Sequence, residues 1–206
     1  MSDMLACVRC PALVQCRIQV VPGEMWVYKP PLPLLMVVAR NPGKNEDEEG
    51  RPLVGKSGKL MRRILLPMQE YTSIYLTNMV KCFTPENRRP TDTELLNCRE
   101  YIDNEVANLK PSIVLLTGLE AQAYKFGIGD RHKVRVDSDG VVYVATYHPA
   151  ARMNVEALIR RDVWKGYMVW NQMQEPKRQE IADQVWKEVA EMPSLTIQEE
   201  LDSLHL

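Results

Sequence analysis

Three stretches of strand length are apolar throughout or up to their last residue: 34–39 (LLMVVA), 113–117 (IVLLT) and 141–145 (VVYVA). A fourth opens at Ile74, where Ile74, Leu76 and Val80 are apolar and Tyr75 and Thr77 favour extended backbone. Unbroken runs of this length suit parallel strands covered on both faces. Helical periodicity lies between them. Residues 59–66 set Leu60, Ile64 and Leu65 on one face against Lys59, Arg62 and Arg63 on the other, and Pro67 should end or kink that helix. Thr91-Asp92 starts a second helix that carries Cys98, 119–126 reads as a short third, and 150–170 as an Arg-rich fourth with Arg152, Arg160 and Arg161. The Pro-rich segment 19–33, with Trp26 and Tyr28, reads as a hairpin or irregular lead-in, and 44–58, with three glycines, as a loop.

Strands alternating with helices predict an α/β fold of three layers, α/β/α, around a central four-stranded, mainly parallel sheet. This domain is expected over residues 1–172, followed by an acidic helical extension over 173–206, whose Ile181, Val185, Trp186 and Val189 share a helical face. Ligands of doubly wound sheets sit outside the carboxyl ends of the strands. Three of the four ends carry a polar side chain, Asn41, Asn78 and His148; the fourth offers only Gly118. A pocket at that rim is therefore the first place to look for chemistry.

A chain of 206 residues, 45% hydrophobic and 26% charged, has the make-up of a globular protein able to bury a core, which argues against a disordered or fibrous chain. No apolar run reaches the roughly 18 residues of a membrane span, and the first 20 residues lack the uninterrupted apolar stretch of a secretory signal. The expectation is an intracellular, cytoplasmic monomer without membrane contact. Residues 175–206 hold eight acids against three bases, so this tail carries −5 while the remainder of a −1 chain carries +4. A mildly positive body permits nucleic-acid binding, and the acidic tail is a candidate segment for a protein partner.

Five cysteines in a reducing compartment are poor disulfide material, which leaves metal binding or burial as their use. Cys7 and Cys10 form a C-x2-C turn able to bring two thiolates to one metal, and Cys16, Cys82 and Cys98 add to it. Around Cys82 and Cys98 stand Asn78 and a loop with Asn87, Arg88 and Arg89. A base-reading amide, basic residues and thiols are grouped in one short stretch.

Taken in order, these pieces resemble the uracil-DNA glycosylase superfamily, and most closely its iron–sulfur branch, family 4. The residues that carry the resemblance are Cys7-x2-Cys10, Asn41-Pro42-Gly43, the run from Glu46 through GRPLVGKSG to Gly58, LTNMVKC at 76–82, NRRP at 87–90, Cys98, and TYHPAA at 146–151. It implies a monofunctional glycosylase that flips uracil, or a related damaged base, out of DNA and hydrolyses its N-glycosidic bond. The alternative on the same fold is a weakly catalytic DNA-binding or accessory protein.

The roles implied are specific. Asn78 would donate to O4 and accept from N3–H of uracil, a pattern that cytosine reverses. His148 would donate to O2 as charge gathers there, and Asn41 would hold the attacking water. Leu53 stands where the family has a stacking Phe, Glu46 where a side chain would crowd the C5 face of the base, and Gly43 lies in the same wall. DNA contacts are expected from Lys56 and Ser57 at a helix start, from Arg88 and Arg89, and from Arg152 near the gap left by the flipped base. Cys7, Cys10, Cys82 and Cys98 match the ligands of a [4Fe–4S] cluster, with a structural zinc as the alternative, and Cys16 is left over. The sequence departs from the branch at Arg40, where the family has a Glu, so that an amide, Asn41, takes the water-positioning place. The insertion KRRIH of the covalently trapping relatives is absent, and no lysine is placed by motif for a Schiff base.

Overall fold

A computed structural model describes residues 2–126, 133–151 and 155–174. In chain order the elements are α1 (Ser2–Leu5), α2 (Pro11–Cys16), β1 (Glu24–Val27), β2 (Leu34–Ala39), α3 (Lys44–Glu49), α4 (Lys56–Leu65), β3 (Ser73–Asn78), α5 (Asp92–Leu109), β4 (Ile113–Thr117), α6 (Leu119–Gln122), β5 (Val134–Val136), β6 (Val142–Thr146) and α7 (Val155–Gln172). One six-stranded sheet has the order β1-β3-β2-β4-β6-β5. The inner four strands are parallel, as the sequence predicts, and β1 and β5 add antiparallel edges.

The unbroken apolar runs follow from two-sided burial. From β2, Leu35, Val37 and Ala39 join Ile74, Leu76, Ile113, Leu115, Val142 and Val144 under α4 and α7. The alternate residues Met36, Val38, Tyr75, Val114, Leu116 and Tyr143 face the other way, onto Ile102 of α5 and Ala121 of α6. Helix α5 starts where Thr91 predicts: the Thr91 hydroxyl accepts from Glu94 N–H at 3.2 Å while the Glu94 carboxylate accepts from Thr91 N–H at 2.8 Å.

Four expectations shift. The lead-in 19–33 contains strand β1, whose Glu24 takes both Arg51 and Arg62. The glycine-rich loop 44–58 contains α3, which sequence periodicity hides because its six residues KNEDEE include no apolar position. The stretch between helix 119–126 and the strand at 141–145, to which the sequence gives no element, contains β5, only three residues long and exposed along most of its length. Helix 119–126 closes early, at Gln122. Pro67 does end α4, and a 3-10 turn over Leu66–Glu70 follows.

Candidate active site

The carboxyl rim of the sheet is assembled by backbone pairing that continues past the strands. Ala39 lies in register with Asn78, and Met79 N–H and Val80 N–H then donate to the carbonyls of Ala39 and Arg40. The loop carrying Asn41 is thereby laid beside the turn carrying Asn78. At the other side, Thr117 is in register with Thr146, and the Thr146 carbonyl accepts from Gly118 N–H at 3.0 Å and from Gln122 Nε2 at 2.7 Å. The Thr146 hydroxyl donates to the wholly buried Asp162 at 2.6 Å. His148 follows two residues on, from a strand end fixed on three sides.

Gly118 explains how an imidazole from β6 reaches across β4. Its φ is +87°, and a Cβ placed there would stand 3.3 Å from His148 Cβ. The rim position that offers no side chain is the gap over which His148 leans. His148 Nδ1 accepts from Ala150 N–H at 3.1 Å, so the proton of the neutral ring resides on Nε2 and is available to a ligand. Burial, reinforced by the positive charge of Arg40, holds the imidazole below its ordinary pKa, against the opposing pull of Glu120 and Glu46.

A cleft of about 430 Å³ opens here, lined among others by Arg40, Ser57, Arg89, Gly118, Gln122 and His148. Asn41 and Asn78 do not line that opening; they lie at the carboxyl end of the sheet, after β2 and at the end of β3. Asn78 is 2% exposed and its Nδ2 has no hydrogen-bond partner among the described residues. Gln122, 1% exposed, presents an unpartnered Oε1 in the same way. Asn41 is occupied at both ends: Oδ1 accepts from Arg40 Nε at 2.7 Å, and Nδ2 donates to the Pro42 carbonyl at 2.8 Å and to the Thr84 hydroxyl at 3.3 Å.

Glu46 holds the loops together. Its carboxylate accepts from Gly43 N–H at 3.1 Å, Val54 N–H at 3.0 Å and Gly55 N–H at 2.8 Å. A Cβ at Gly43 or Gly55 would meet a Glu46 oxygen at 2.8 or 3.1 Å, so both glycines make room for the carboxylate. Its neighbour Asp47, also buried, faces the other way and accepts from Ile18 N–H and Gln19 N–H. Leu53 is 5% exposed within the apolar core beneath α4 and adopts φ +57°, its carbonyl held by Arg62 Nε at 2.9 Å.

Of the residues expected to meet DNA, Lys56 is exposed and Ser57 half-buried at the start of α4. Arg88 is turned onto Glu94, with both terminal nitrogens within 2.9 Å of its carboxylate, and Arg89 pairs with Glu120 at 3.1 Å while 68% of its side chain stays exposed. Arg152 and the tail beyond Gln174 lie outside the described residues.

The four cysteines share one apolar cluster with Met4, Leu13, Val20, Val80 and Tyr101. Cys82 and Cys98 are buried, Cys7 and Cys10 half-buried. Burial raises the Cys82 thiol, against a hydrogen bond from Arg17 Nη1 at 2.9 Å, and raises Cys98 to about 11, against the backbone N–H of Lys81. Each thiol is pushed further up by its cysteine neighbours, Cys10 among them in both cases. As the side chains stand, no three of the described His, Cys, Asp or Glu residues converge on one metal position. Even so, four thiols gathered in one cluster, two of them buried, are a donor set whose chemistry suits a shared thiophilic cation.

Sequence reasoning missed the clamp at Glu46, the unpartnered Gln122, and Thr84 and Asn87 around Asn41 and Arg40. A signal existed for the first. Gly43-x-x-Glu46 has the spacing of a helix start with a carboxylate at its third position, as at Thr91-x-x-Glu94.

Residues 26–185 match the profile of the uracil DNA glycosylase superfamily. The type-4 uracil-DNA glycosylase of Sulfurisphaera tokodaii is 33% identical over 181 residues, covering 80% of this chain and 80% of that protein. The type-4 enzyme of Pyrobaculum aerophilum is 34% identical over 165 residues, 74% of this chain and 82% of its own. The type-5 uracil-DNA glycosylase of the same organism is 29% identical over 196 residues, 76% of this chain and 86% of its own. With its parallel sheet, its rim of two amides and an imidazole, and these relatives, the chain belongs to the uracil-DNA glycosylase superfamily.

Proposed function

We propose that this protein is a monofunctional uracil-DNA glycosylase that leaves an abasic site in base excision repair. The observation that carries the reading is the buried, unpartnered Nδ2 of Asn78 at the carboxyl end of β3. Leaving such a donor unpaired costs roughly 1–3 kcal/mol, which a ligand acceptor offsets. Uracil O4 is that acceptor when the base is flipped, and Asn78 Oδ1 then accepts from N3–H.

The bond from C1′ to N1 breaks with its electron pair moving onto the base. His148, neutral and protonated on Nε2, donates to O2 where that charge collects. Asn41 Oδ1 keeps a second lone pair for the attacking water, whose oxygen bonds C1′ and whose proton leaves to solvent or to the departing base. Gly43 and Glu46 enter as the wall that fixes this loop, and Glu46, by holding Gly43 and Gly55 close, keeps the C5 side of the base narrow. Leu53 supports the same wall from the core. Lys56, Ser57 and Arg89 take phosphates of the strand, with Arg152 as a further contact, while Arg88 holds the loop through Glu94.

Cys7, Cys10, Cys82 and Cys98 would hold a [4Fe–4S] cluster, or a structural zinc in its place, once the thiols turn toward one another. Such a group would cross-link the N-terminal segment to the turn after Asn78, a structural role that requires no redox step. The protein is read as an intracellular monomer acting on DNA. No helix among the described residues is long and apolar enough to cross a membrane. The acidic tail supports a protein partner by its charge alone.

The test is anaerobic purification, a visible spectrum and metal analysis, then single-turnover assay on oligonucleotides holding one uracil, in single strands and opposite G or A. Release of uracil, lost in Asn78→Ala, supports the reading; tight DNA binding without release would favour the accessory protein. Iron with visible charge-transfer absorption selects the cluster, and colourless protein with zinc selects the alternative.

A further inference from the structure

Arg40 stands where the resemblance leads one to expect a carboxylate, and it occupies the cleft rather than solvent. It is half-buried, its carbonyl is pinned by Val80 N–H at 3.0 Å, and its side chain spans the rim. Nε donates to Asn41 Oδ1 at 2.7 Å, and Nη2 to the Asn87 carbonyl at 3.3 Å. A guanidinium only donates. It therefore dictates which end of the Asn41 carboxamide is oxygen, and Nδ2 must point to Pro42 and Thr84. The Thr84 hydroxyl gives its own proton to the Arg88 carbonyl at 2.6 Å, so it is free to accept from Asn41. The chain Arg40, Asn41, Thr84, Arg88 has one consistent direction.

We propose that Arg40 is a positioning residue of the active site: it locks the Asn41 amide with its oxygen held for the attacking water, and it sets a fixed positive charge in the cleft that His148 also lines. This rests on the glycosylase reading above.

The charges that face His148 come from three elements. Arg40 follows β2, Glu46 lies on α3 and Glu120 on α6. Arg89 partly cancels Glu120, at 3.1 Å, and Glu46 is spread over three backbone donors. Arg40 is thus the least compensated of the three. Neutral imidazole is the form that donates from Nε2 while Nδ1 accepts, so activity should fail only at pH values below the ordinary imidazole range, about 6.5. Without the Arg40 charge the acid limb should climb toward that value.

Single-turnover pH profiles for Arg40→Gln and Arg40→Lys test both halves. Gln removes the charge: the acid limb should move up in pH and the plateau fall about tenfold or more, the order expected for one charged hydrogen bond. Lys keeps a charge but not the fork: the limb should stay near the wild-type position while the plateau still falls. Glu120→Gln should move the limb the opposite way, down. The titration of His148, assigned by comparison with His148→Ala, is followed by NMR in the same variants and needs no turnover. A rate lowered equally at all pH values, with an unmoved imidazole titration, would mean that Arg40 is only structural and would overturn the proposal. A normal Lys plateau overturns the locking half. Wild-type protein that releases no uracil sinks the glycosylase reading instead, and the NMR titration then judges the charge effect separately.

Discussion

Asn78 and Lys81 sit in one turn, both at least 98% buried, yet their polar atoms are treated in opposite ways. At the carboxyl end of the sheet hydrogen-bonding capacity stays open: among the described residues Asn78 Nδ2, and Oε1 of Gln122 in the cleft wall, have no partner. Around Lys81 everything is used. Its ammonium donates to Thr77 Oγ1 at 2.5 Å and to both oxygens of Glu105 at 2.8 Å, and Glu105 also accepts from the hydroxyls of Tyr75 and Thr77. Burial pushes the Lys81 pKa down, and Glu105 pulls it back up. One end of the turn is built to receive something and the other to hold the chain still. Open capacity in a buried place marks the substrate side, and closed capacity marks the frame.

The strongest way to break this contrast is to remove the frame. Lys81→Met keeps most of the side-chain volume but leaves Glu105 without its cation, and removing one partner of a buried pair typically destabilises by about 3–5 kcal/mol. Glu105 keeps two hydroxyl donors, which places the expected loss near 3 kcal/mol, read from urea or thermal unfolding. Replacing the pair together, as Lys81→Met with Glu105→Leu, should recover most of it, since apolar substitutes for a buried pair are often neutral. An Lys81→Met protein as stable as wild type would mean that the network is ornamental.

The next effect falls on the other side of the turn. Asn78→Ala and His148→Ala should each lower uracil release by about 10²–10³-fold, the order reported for losing one donor to developing charge. Asn78→Ala should leave the unfolding midpoint almost unchanged, because the relief of an unpaired buried donor offsets the small cavity. A variant of Asn78 that lost stability as Lys81→Met does would erase the distinction between the two ends.

Much of the rim was legible in advance, and the reason is local. A buried parallel strand writes itself as an apolar run, and polar residues within a few positions of its end must lie at the carboxyl rim; Asn41, Asn78 and His148 are singled out on that ground, and their roles come from the resemblance. What stayed hidden depends on partners far away in the chain. Glu46 is placed near the base by the resemblance, but its hold on the backbone of Gly55, nine positions on, has no mark in the pattern of KNEDEE. Lys81 reads as solvent-facing until Glu105, 24 positions on, comes beneath it. Strand β5 is short and polar because it covers only an edge, so it has no apolar signature. Arg88 looked free for phosphate, and its ion pair with Glu94 sets it among the residues that fix the loop.

That last pair gives the mildest test. Glu94 closes the start of α5, accepting from Thr91 N–H, and takes both arms of Arg88, which together hold its carboxyl below the usual carboxylate range against the effect of burial. A carboxylate with a depressed folded pKa stabilises above its unfolded value, near 4.3, and the benefit fades as pH falls through the lower folded value. Glu94→Gln should therefore cost about 1 kcal/mol at neutral pH, within the range for a lost cap, and the difference from wild type should vanish in acid. Glu94 lies away from the base-reading atoms, so uracil release at neutral pH should change less than for any rim variant. If Glu94→Gln instead cut release as deeply as His148→Ala, the loop holding Arg88 and Arg89 would belong to the substrate side, and the line between frame and site would have to be redrawn through Thr84.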